Sequence, residues 1–280
     1  INKFSSNYAL YGDISDRITK ILKRIVKKVE VYSIDESFLD LSDIEENKIK
    51  DHIIWIKSTL EKLTGIPVSI GVAPNKTLAK LCNKLSKTDD SLNGCCSYWD
   101  IDKERLYSLS VDKIWGIGRK WSKKLKSISV ENVKQFLDLK PIQVKKMFNV
   151  NGLRTWYELN EVTCYPISTD FKKPKVITSS RTFGKTQSNL LQIKDAFYSH
   201  LKATHKKLIK ENLLTYKVNL FITTNRFNDD YFGWSRKVIL SQGTDNIHNI
   251  WNLYADKHKR RRGGRNKKIQ KPVYHLLFLN

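Results

Sequence analysis

Asp35 and Glu36 are adjacent carboxylates lying between two runs of β-formers, Val29-Glu30-Val31-Tyr32-Ser33-Ile34 before them and Phe38-Leu39-Asp40-Leu41 after. That layout predicts two short strands joined near the acids. Carboxylates at a strand end or a tight hairpin project into solvent beside a rigid sheet. Such a place suits a hard cation such as Mg²⁺, which wants oxygen ligands and usually takes one or two carboxylates from protein. For the pair taken alone, the alternative is an acidic turn that keeps a hairpin soluble. Asp40 lies close in sequence but on the other side of the hairpin's reach, and reads as structural.

The flanking elements can be read from period and caps. Ser15 to Lys28 puts Ile18, Ile21, Leu22 and Ile25 at helical spacing behind a Ser15 N-cap, an amphipathic helix with a cationic outer face. Asp51 to Leu63 reads as a second helix, ended by Gly65-Ile66-Pro67. Val68 to Ala73 reads as a buried strand, and a helix opens straight after it near Asn75. A strand running into a helix N-terminus beside Lys76 and Lys80 is a possible phosphate site, because backbone N–H groups point outward there. An exposed helix face is the alternative for both lysines.

A second constellation is Val111-Asp112-Lys113-Ile114-Trp115-Gly116-Ile117-Gly118-Arg119-Lys120, a helix-hairpin-helix pattern. The glycines let the backbone approach a phosphate and leave amides free to donate. Gly116, Ile117, Gly118, Arg119 and Lys120 are therefore candidate phosphate contacts, with Lys123 and Lys124 adding charge at the same end. Recognition of this kind is independent of base sequence.

Lys172-Lys173-Pro174-Lys175 reads as a linker. Val176 to Lys185 alternates like a strand with a polar, basic side. A helix over Asp195–Asn212 and strands over Leu214–Thr224 and Ser235–Leu240 follow, a β-helix-β-β order suited to a small sheet with helices on one face. The fold class expected is α+β in several domains.

Charge separates the chain's parts. It carries 51 basic and 28 acidic residues, a net +23. Residues 1–105 hold 17 basic and 16 acidic side chains, whereas residues 176–280 hold 20 and 6. A polyanionic partner accounts for that unevenness, with counterion release supplying affinity. No apolar run approaches a membrane span, and the N-terminus lacks a secretory pattern, so no membrane partner is expected. Cys82, Cys95, Cys96 and Cys164 show no Cys-x-x-Cys spacing, which predicts reduced thiols and a cytoplasmic location. Lys257 to Lys271 is a basic low-complexity run, readable either as a nucleic-acid tail or as a truncated or frame-shifted ending; Val273–Leu279 is apolar enough for a strand.

Tyr32-Ser33-Ile34-Asp35-Glu36-Ser37-Phe38-Leu39-Asp40 resembles the palm motif of the Y-family (translesion) DNA polymerases, and the surrounding residues most resemble their UmuC branch. Ile70-Gly71-Val72-Ala73 with Asn75-Lys76-Thr77-Leu78-Ala79-Lys80, and Trp115-Gly116-Ile117-Gly118, resemble further stretches of that family. The resemblance spans residues 4–255 and implies a partial palm over 1–105, a small helical thumb over 106–171, a linker at 172–175 and a little finger over 176–255. Residues 256–280 are left as a tail. It further implies that Asp35 and Glu36 bind catalytic Mg²⁺ in a two-metal site, and that Lys87 contacts the nucleotide triphosphate. The phosphates met by Gly116, Ile117, Gly118, Arg119 and Lys120 would be those of DNA. Ser179, Ser180, Arg181, Thr182 and Lys185 would grip DNA, structural strand residues being the alternative. The family's metal-binding Asp on an earlier strand, and most of its fingers, have no counterpart in this sequence, so the metal site is expected to be incomplete. Primer-template DNA, a deoxynucleoside triphosphate, a sliding clamp and UmuD-type subunits are the implied partners. The implied activity is error-prone synthesis past damaged DNA in SOS mutagenesis. A non-catalytic DNA-binding fragment is the main alternative. An unrelated RNA-binding protein would explain the charge but not the two motifs at their spacing.

Overall fold

The computed structural model describes residues 6–169, 175–184, 187–224 and 231–252 in full and residues 274–279 as backbone. The chain divides into two compact units, Ile1–Asp170 and Phe171–Asn280.

The first unit opens with α1 (Tyr8–Ile25). Periodicity predicts a start at Ser15, but the helix begins at Tyr8 because the Asn7 side chain caps it, accepting from the Leu10 N–H. Its first turn exposes Tyr8, Leu10 and Tyr11, so no apolar stripe marks that turn in the sequence. The later turns bury Leu22 against Val29 and against Ile56 and Leu60 of α2 (Glu46–Thr64). Gly65, in the left-handed region at φ 68°, stops α2 by donating its N–H to Glu61.

β1 (Val29–Val31) and β2 (Ser37–Leu39) form the expected antiparallel hairpin, with Val29 opposite Leu39 and Val31 opposite Ser37. β3 (Ile70–Val72) is shorter than predicted and pairs in parallel with β4 (Cys95–Ser97). The sequence pattern does not announce β4, since Cys-Cys-Ser carries no β-branched or aromatic residue. α3 (Lys76–Thr88) lies directly on β3. Gly71 permits this, because a Cβ there would collide with the backbone of Ala79 and Asn83.

α4 (Lys103–Tyr107), α5 (Arg119–Lys126), α6 (Val133–Leu137) and α7 (Pro141–Leu159) complete the unit. Their apolar faces share one core with Leu78, Leu81 and Leu85 of α3, which continues without a seam across residue 105. Burial on this scale is the main force fixing α3 against the helices that follow it.

The second unit is a four-stranded antiparallel sheet of order β5-β8-β6-β7, from β5 (Ile177–Arg181), β6 (Thr215–Thr223), β7 (Gly233–Thr244) and β8 (Tyr274–Leu279). α8 (Leu190–Lys210) covers one face through Ile193, Phe197, Leu201 and Leu208, which pack on Ile177, Val218, Leu220 and Ile222. The expected β-helix-β-β order is present, with β7 longer than the predicted Ser235–Leu240. Lys172–Pro174, Lys185 and the basic run Lys257–Lys271 lie outside the described residues. The mixture of helices and small sheets is an α+β fold.

Candidate active site and nucleic-acid interface

Asp35 and Glu36 sit at the turn of the β1–β2 hairpin, where the amides of Tyr32 and Ser33 both donate to the Glu36 carbonyl at 3.0 Å. This pinched turn holds the acidic tip beside a short but rigid ladder. The Ser33 hydroxyl donates to Asp35 Oδ1 at 2.6 Å, which pins the exposed carboxylate. That hydrogen bond is the chief reason the Asp35 carboxyl lies below the usual carboxylate range, with the charges of Lys87 and Lys80 acting in the same direction.

Glu36 is held differently. Lys80 of α3 donates to both its oxygens at 2.8 Å. The ammonium also sits 4.9 Å from the Tyr32 ring centre, 5.8 Å from Trp115 and 5.9 Å from Phe38. Trp115 Nε1 donates to the Tyr32 hydroxyl at 3.1 Å, so the cage is tied across its top. The sequence offers Lys80 only as a phosphate contact or a solvated lysine, because its partner lies 44 residues away.

Asp40 is structural. Its carboxylate accepts from Lys28 Nζ at 2.9 Å and from the Ser42 amide at 3.1 Å. The Ser42 hydroxyl and then the Lys28 ammonium bring its pKa down to about 2. The native value lies below the unfolded one, so the stabilisation is complete above roughly pH 4 and lost as pH falls toward the native value. Asp40→Asn should therefore flatten the acid limb of stability between about pH 4 and pH 2, followed by urea unfolding. An unchanged acid limb would contradict the assignment.

The two helix starts considered as phosphate sites come out differently. At α3 the site is closed. Asn75 Oδ1 accepts from Leu78 N, and Glu158 Oε2 accepts from the Thr77 amide at 2.9 Å and its hydroxyl at 2.6 Å. Lys76 is buried, with Nζ 2.5 Å from Glu30 Oε2 and donating to the Pro166 carbonyl at 3.0 Å. The protein's own carboxylates already occupy the place a phosphate would take, which corrects the sequence expectation for Lys76.

At α5 the site is open. Gly116 turns the preceding loop at φ 89°, and the Gly118 N-cap carries no side-chain cap. Asp112, Ile117, Gly118, Arg119, Ser122, Lys123 and Lys126 line a groove of about 520 Å³ there. A helix start with a mostly basic rim has the charge to receive an anion, although Asp112 also lines this groove and the Ile117 amide already donates to the Ile114 carbonyl. Arg119 and Lys120 are exposed beside it, while Ile117 is buried beneath it and supports the loop.

In the second unit, register separates the candidate contacts between two faces. Through β8, Thr178 shares a row with Asn219 and Lys237, and Ser180 shares one with Phe221 and Ser235. These rows lie opposite the face covered by α8. Lys217 belongs to the same open face, and the neighbouring Lys237 pushes its ammonium below the usual lysine range. Ser179 is on the helix side, 2.9 Å from His200 Nδ1, and Arg181 shares that side. Thr182 is exposed just beyond the strand. Pattern reading missed Lys217 and Lys237 because only the cross-strand register puts them side by side.

The impB/mucB/samB family matches residues 3–84, and the C-terminal domain of the same family matches residues 174–272. The chain belongs to the impB/mucB/samB family. It is 32% identical to Protein UmuC of Salmonella typhimurium over 275 residues, covering 93% of this chain and 65% of that protein. Protein SamB of the same organism is 32% identical over 82% of this chain, which spans 56% of SamB. A DNA polymerase IV of Clostridium acetobutylicum is 23% identical over 91% of this chain and 62% of its own length. Among solved structures, a Y-family DNA polymerase chimera superposes with TM-score 0.74 at 20% identity, covering 98% of this chain and 76% of the chimera. An insertion ternary complex of Dbh DNA polymerase does so with TM-score 0.56, also at 20% identity and with the same two coverages. The impB/mucB/samB chain therefore has the Y-family polymerase fold, and it spans less than two thirds of the UmuC and SamB proteins it matches.

Family membership implies a divalent metal. Asp35 and Glu36 offer hard oxygens of the kind Mg²⁺ takes, and two protein carboxylates are within what it uses. Among the described residues, no group of three or more His, Cys, Asp or Glu side chains is placed to hold a metal. The oxygens of the pair are of the chemical kind such an ion takes, with those of Glu36 already engaged by Lys80. None of the described helices is long and apolar enough to cross a membrane.

Proposed function

We propose that this impB/mucB/samB chain carries the active-site hairpin and the DNA-gripping surfaces of an error-prone translesion DNA polymerase, which extends a primer past damaged template during SOS mutagenesis. The observation carrying the reading is the acidic hairpin tip, where Ser33 holds Asp35 and Lys80 holds Glu36 at the turn between β1 and β2. The open α5 start in the same unit adds to it. Asp35 and Glu36 would hold Mg²⁺, which when bound supplies Lewis acidity to the attacking primer hydroxyl and the departing pyrophosphate. Ser33 fixes the rotamer of Asp35 and keeps it ionised. Lys87 would meet the negative charge of the nucleotide triphosphate. The backbone of Gly116–Gly118, with Arg119 and Lys120, would hold the duplex by its phosphates. Ser179, Ser180, Arg181, Thr182 and Lys185 are proposed as further DNA contacts, joined by Thr178, Lys217 and Lys237 on the open sheet face. A sliding clamp and UmuD-type subunits are the proposed partners.

A second reading is a DNA-binding chain without catalysis. What favours it is that both oxygens of Glu36 are engaged by Lys80 and that the described residues bring no third carboxylate to the pair. Primer extension with Mg²⁺ and one deoxynucleotide separates the two. Incorporation supports the polymerase, and tight binding with no incorporation supports the second reading.

DNA affinity should fall by about tenfold or more between 50 and 200 mM salt, as counterions released by the basic surfaces lose their effect. A Kd insensitive to salt would contradict phosphate-based binding. Gly118→Ala tests the α5 groove more locally. A methyl at Gly118 meets nothing within 4 Å, so the fold should tolerate it. It would stand where a phosphate must approach the backbone, and several-fold weaker DNA binding at unchanged Tm is expected. Wild-type affinity in that variant would remove the groove from the interface.

A further inference from the structure

We infer that Lys80 is a tethered cation which holds Glu36 before metal arrives and competes with the divalent ion for it. The inference rests on the proposed metal role of Asp35 and Glu36. The Lys80 side chain is only 16% exposed, yet it reaches both Glu36 oxygens at 2.8 Å from a different element. Lysine is a flexible point charge and normally seeks water. Here the rings of Tyr32, Phe38 and Trp115 take the place of part of its hydration shell, each presenting a π-face or edge within 6 Å. Tyr32 and Phe38 flank the acidic pair in the hairpin, and Trp115 opens the glycine loop that leads into α5. One ammonium thus joins α3, the hairpin tip and the glycine loop.

Two consequences follow from electrostatics. A carboxylate gripped at both oxygens is fixed in orientation, as metal ligands commonly are by their outer partners. The same fixed positive charge also repels a second cation brought to that carboxylate. Lys80 therefore lowers metal affinity in the absence of substrate while keeping Glu36 in place. A nucleotide triphosphate near Lys87 would add negative charge and shift the balance toward metal. Asp35 is gripped by the neutral Ser33 hydroxyl, and the charges of Lys87 and Lys80 act on it through space rather than through a direct ion pair among the described contacts. The two carboxylates are consequently unequal: a cation held by Glu36 would have to displace a direct ion pair with Lys80, whereas one held by Asp35 would meet the lysine charges only at longer range.

Mn²⁺ binding to the full chain without DNA or nucleotide, followed by the electron paramagnetic resonance signal of free Mn²⁺, tests this directly. Lys80→Met keeps an unbranched chain in the aromatic cage and removes the charge. It should bind Mn²⁺ about tenfold or more tighter than wild type. Lys80→Arg keeps the charge and should remain near wild type, and Asp35→Asn should bind more weakly. Thermal melts establish that each variant is folded. A Lys80→Met affinity equal to or below wild type, with Asp35→Asn still weakened, would overturn the role of Lys80 and leave the metal site standing. Mn²⁺ binding that is the same in wild type and Asp35→Asn, or absent from both and from Lys80→Met, would overturn the metal site itself.

Discussion

Asp35→Asn should abolish primer extension while leaving DNA binding and the melting temperature close to wild type. Asparagine keeps the shape of the side chain, and Ser33 can still hydrogen-bond to its carbonyl oxygen. What is lost is the negative charge that would hold the metal. Charge stabilisation by a bound metal is worth several kcal/mol in the transition state, so a loss of about a thousandfold or more in rate is expected. Ordinary structural damage is an improbable source of such a loss, because Asp35 is exposed and its side-chain contact is to Ser33 on the same turn. Single-nucleotide incorporation at saturating DNA, with the Kd for primer-template measured in parallel, checks both halves. Extension by Asp35→Asn within tenfold of wild type would remove Asp35 from catalysis.

pH adds a related expectation. Ser33 holds Asp35 below the usual carboxylate range, so an acid limb of activity set by Asp35 should lie at lower pH than an ordinary aspartate would place it. In Ser33→Ala the first cause of that depression is gone. The acid limb should then move to higher pH, toward an ordinary aspartate. An acid limb unmoved by Ser33→Ala would mean that another group limits the rate there.

The hairpin carrying Asp35 and Glu36, the Asn75 start of α3 and the Trp115–Gly118 loop were all legible in the sequence, because each rests on local chemistry. Alternating β-formers around a turn, an N-cap and closely spaced glycines act within a few residues. α1 illustrates the limit of periodicity, since its exposed first turn is helical through the Asn7 cap and carries no stripe. β4 illustrates another limit, because three small residues become a strand only when β3 is beside them. The chemistry of the two lysines in α3 was the least legible. Lys76 and Lys80 are alike in sequence, one helical turn apart, and both suit a phosphate. Tertiary packing decides otherwise by bringing Glu30 to one and Glu36 to the other. The same holds for Glu158, whose neighbours in the chain give no sign that it ends up fully buried at the start of α3.

Glu158 is also where the largest effect on stability is expected. Its side chain is fully buried, and it faces no formal cation among the hydrogen bonds it makes. Four donors neutralise it instead: the Thr77 amide and hydroxyl on one oxygen, and the amides of Cys164 at 3.1 Å and Tyr165 at 2.9 Å on the other. Its own carbonyl accepts from Asn75 Nδ2 at 2.7 Å. The carboxylate therefore caps α3, where the helix dipole favours negative charge, and fastens the segment after α7 to the same point. Glu158→Gln would turn an amide NH₂ toward one of the two donor pairs, exchanging two charge-assisted bonds for donors facing donors. Losing two such bonds in a buried site costs about 3 kcal/mol or more. For a chain of this size that lowers Tm by roughly 6–12 °C. Glu158→Ala leaves all four donors buried without an acceptor and should be worse. The damage would also reach the cage around Lys80, because Tyr165 packs 5.4 Å from Trp115 and Trp115 is tied to Tyr32. Urea unfolding followed by circular dichroism measures the first effect, and Mn²⁺ binding to the still-folded Glu158→Gln variant measures the second. A Glu158→Gln variant within about 1 kcal/mol of wild type would show that these four donors find other partners as readily as this one.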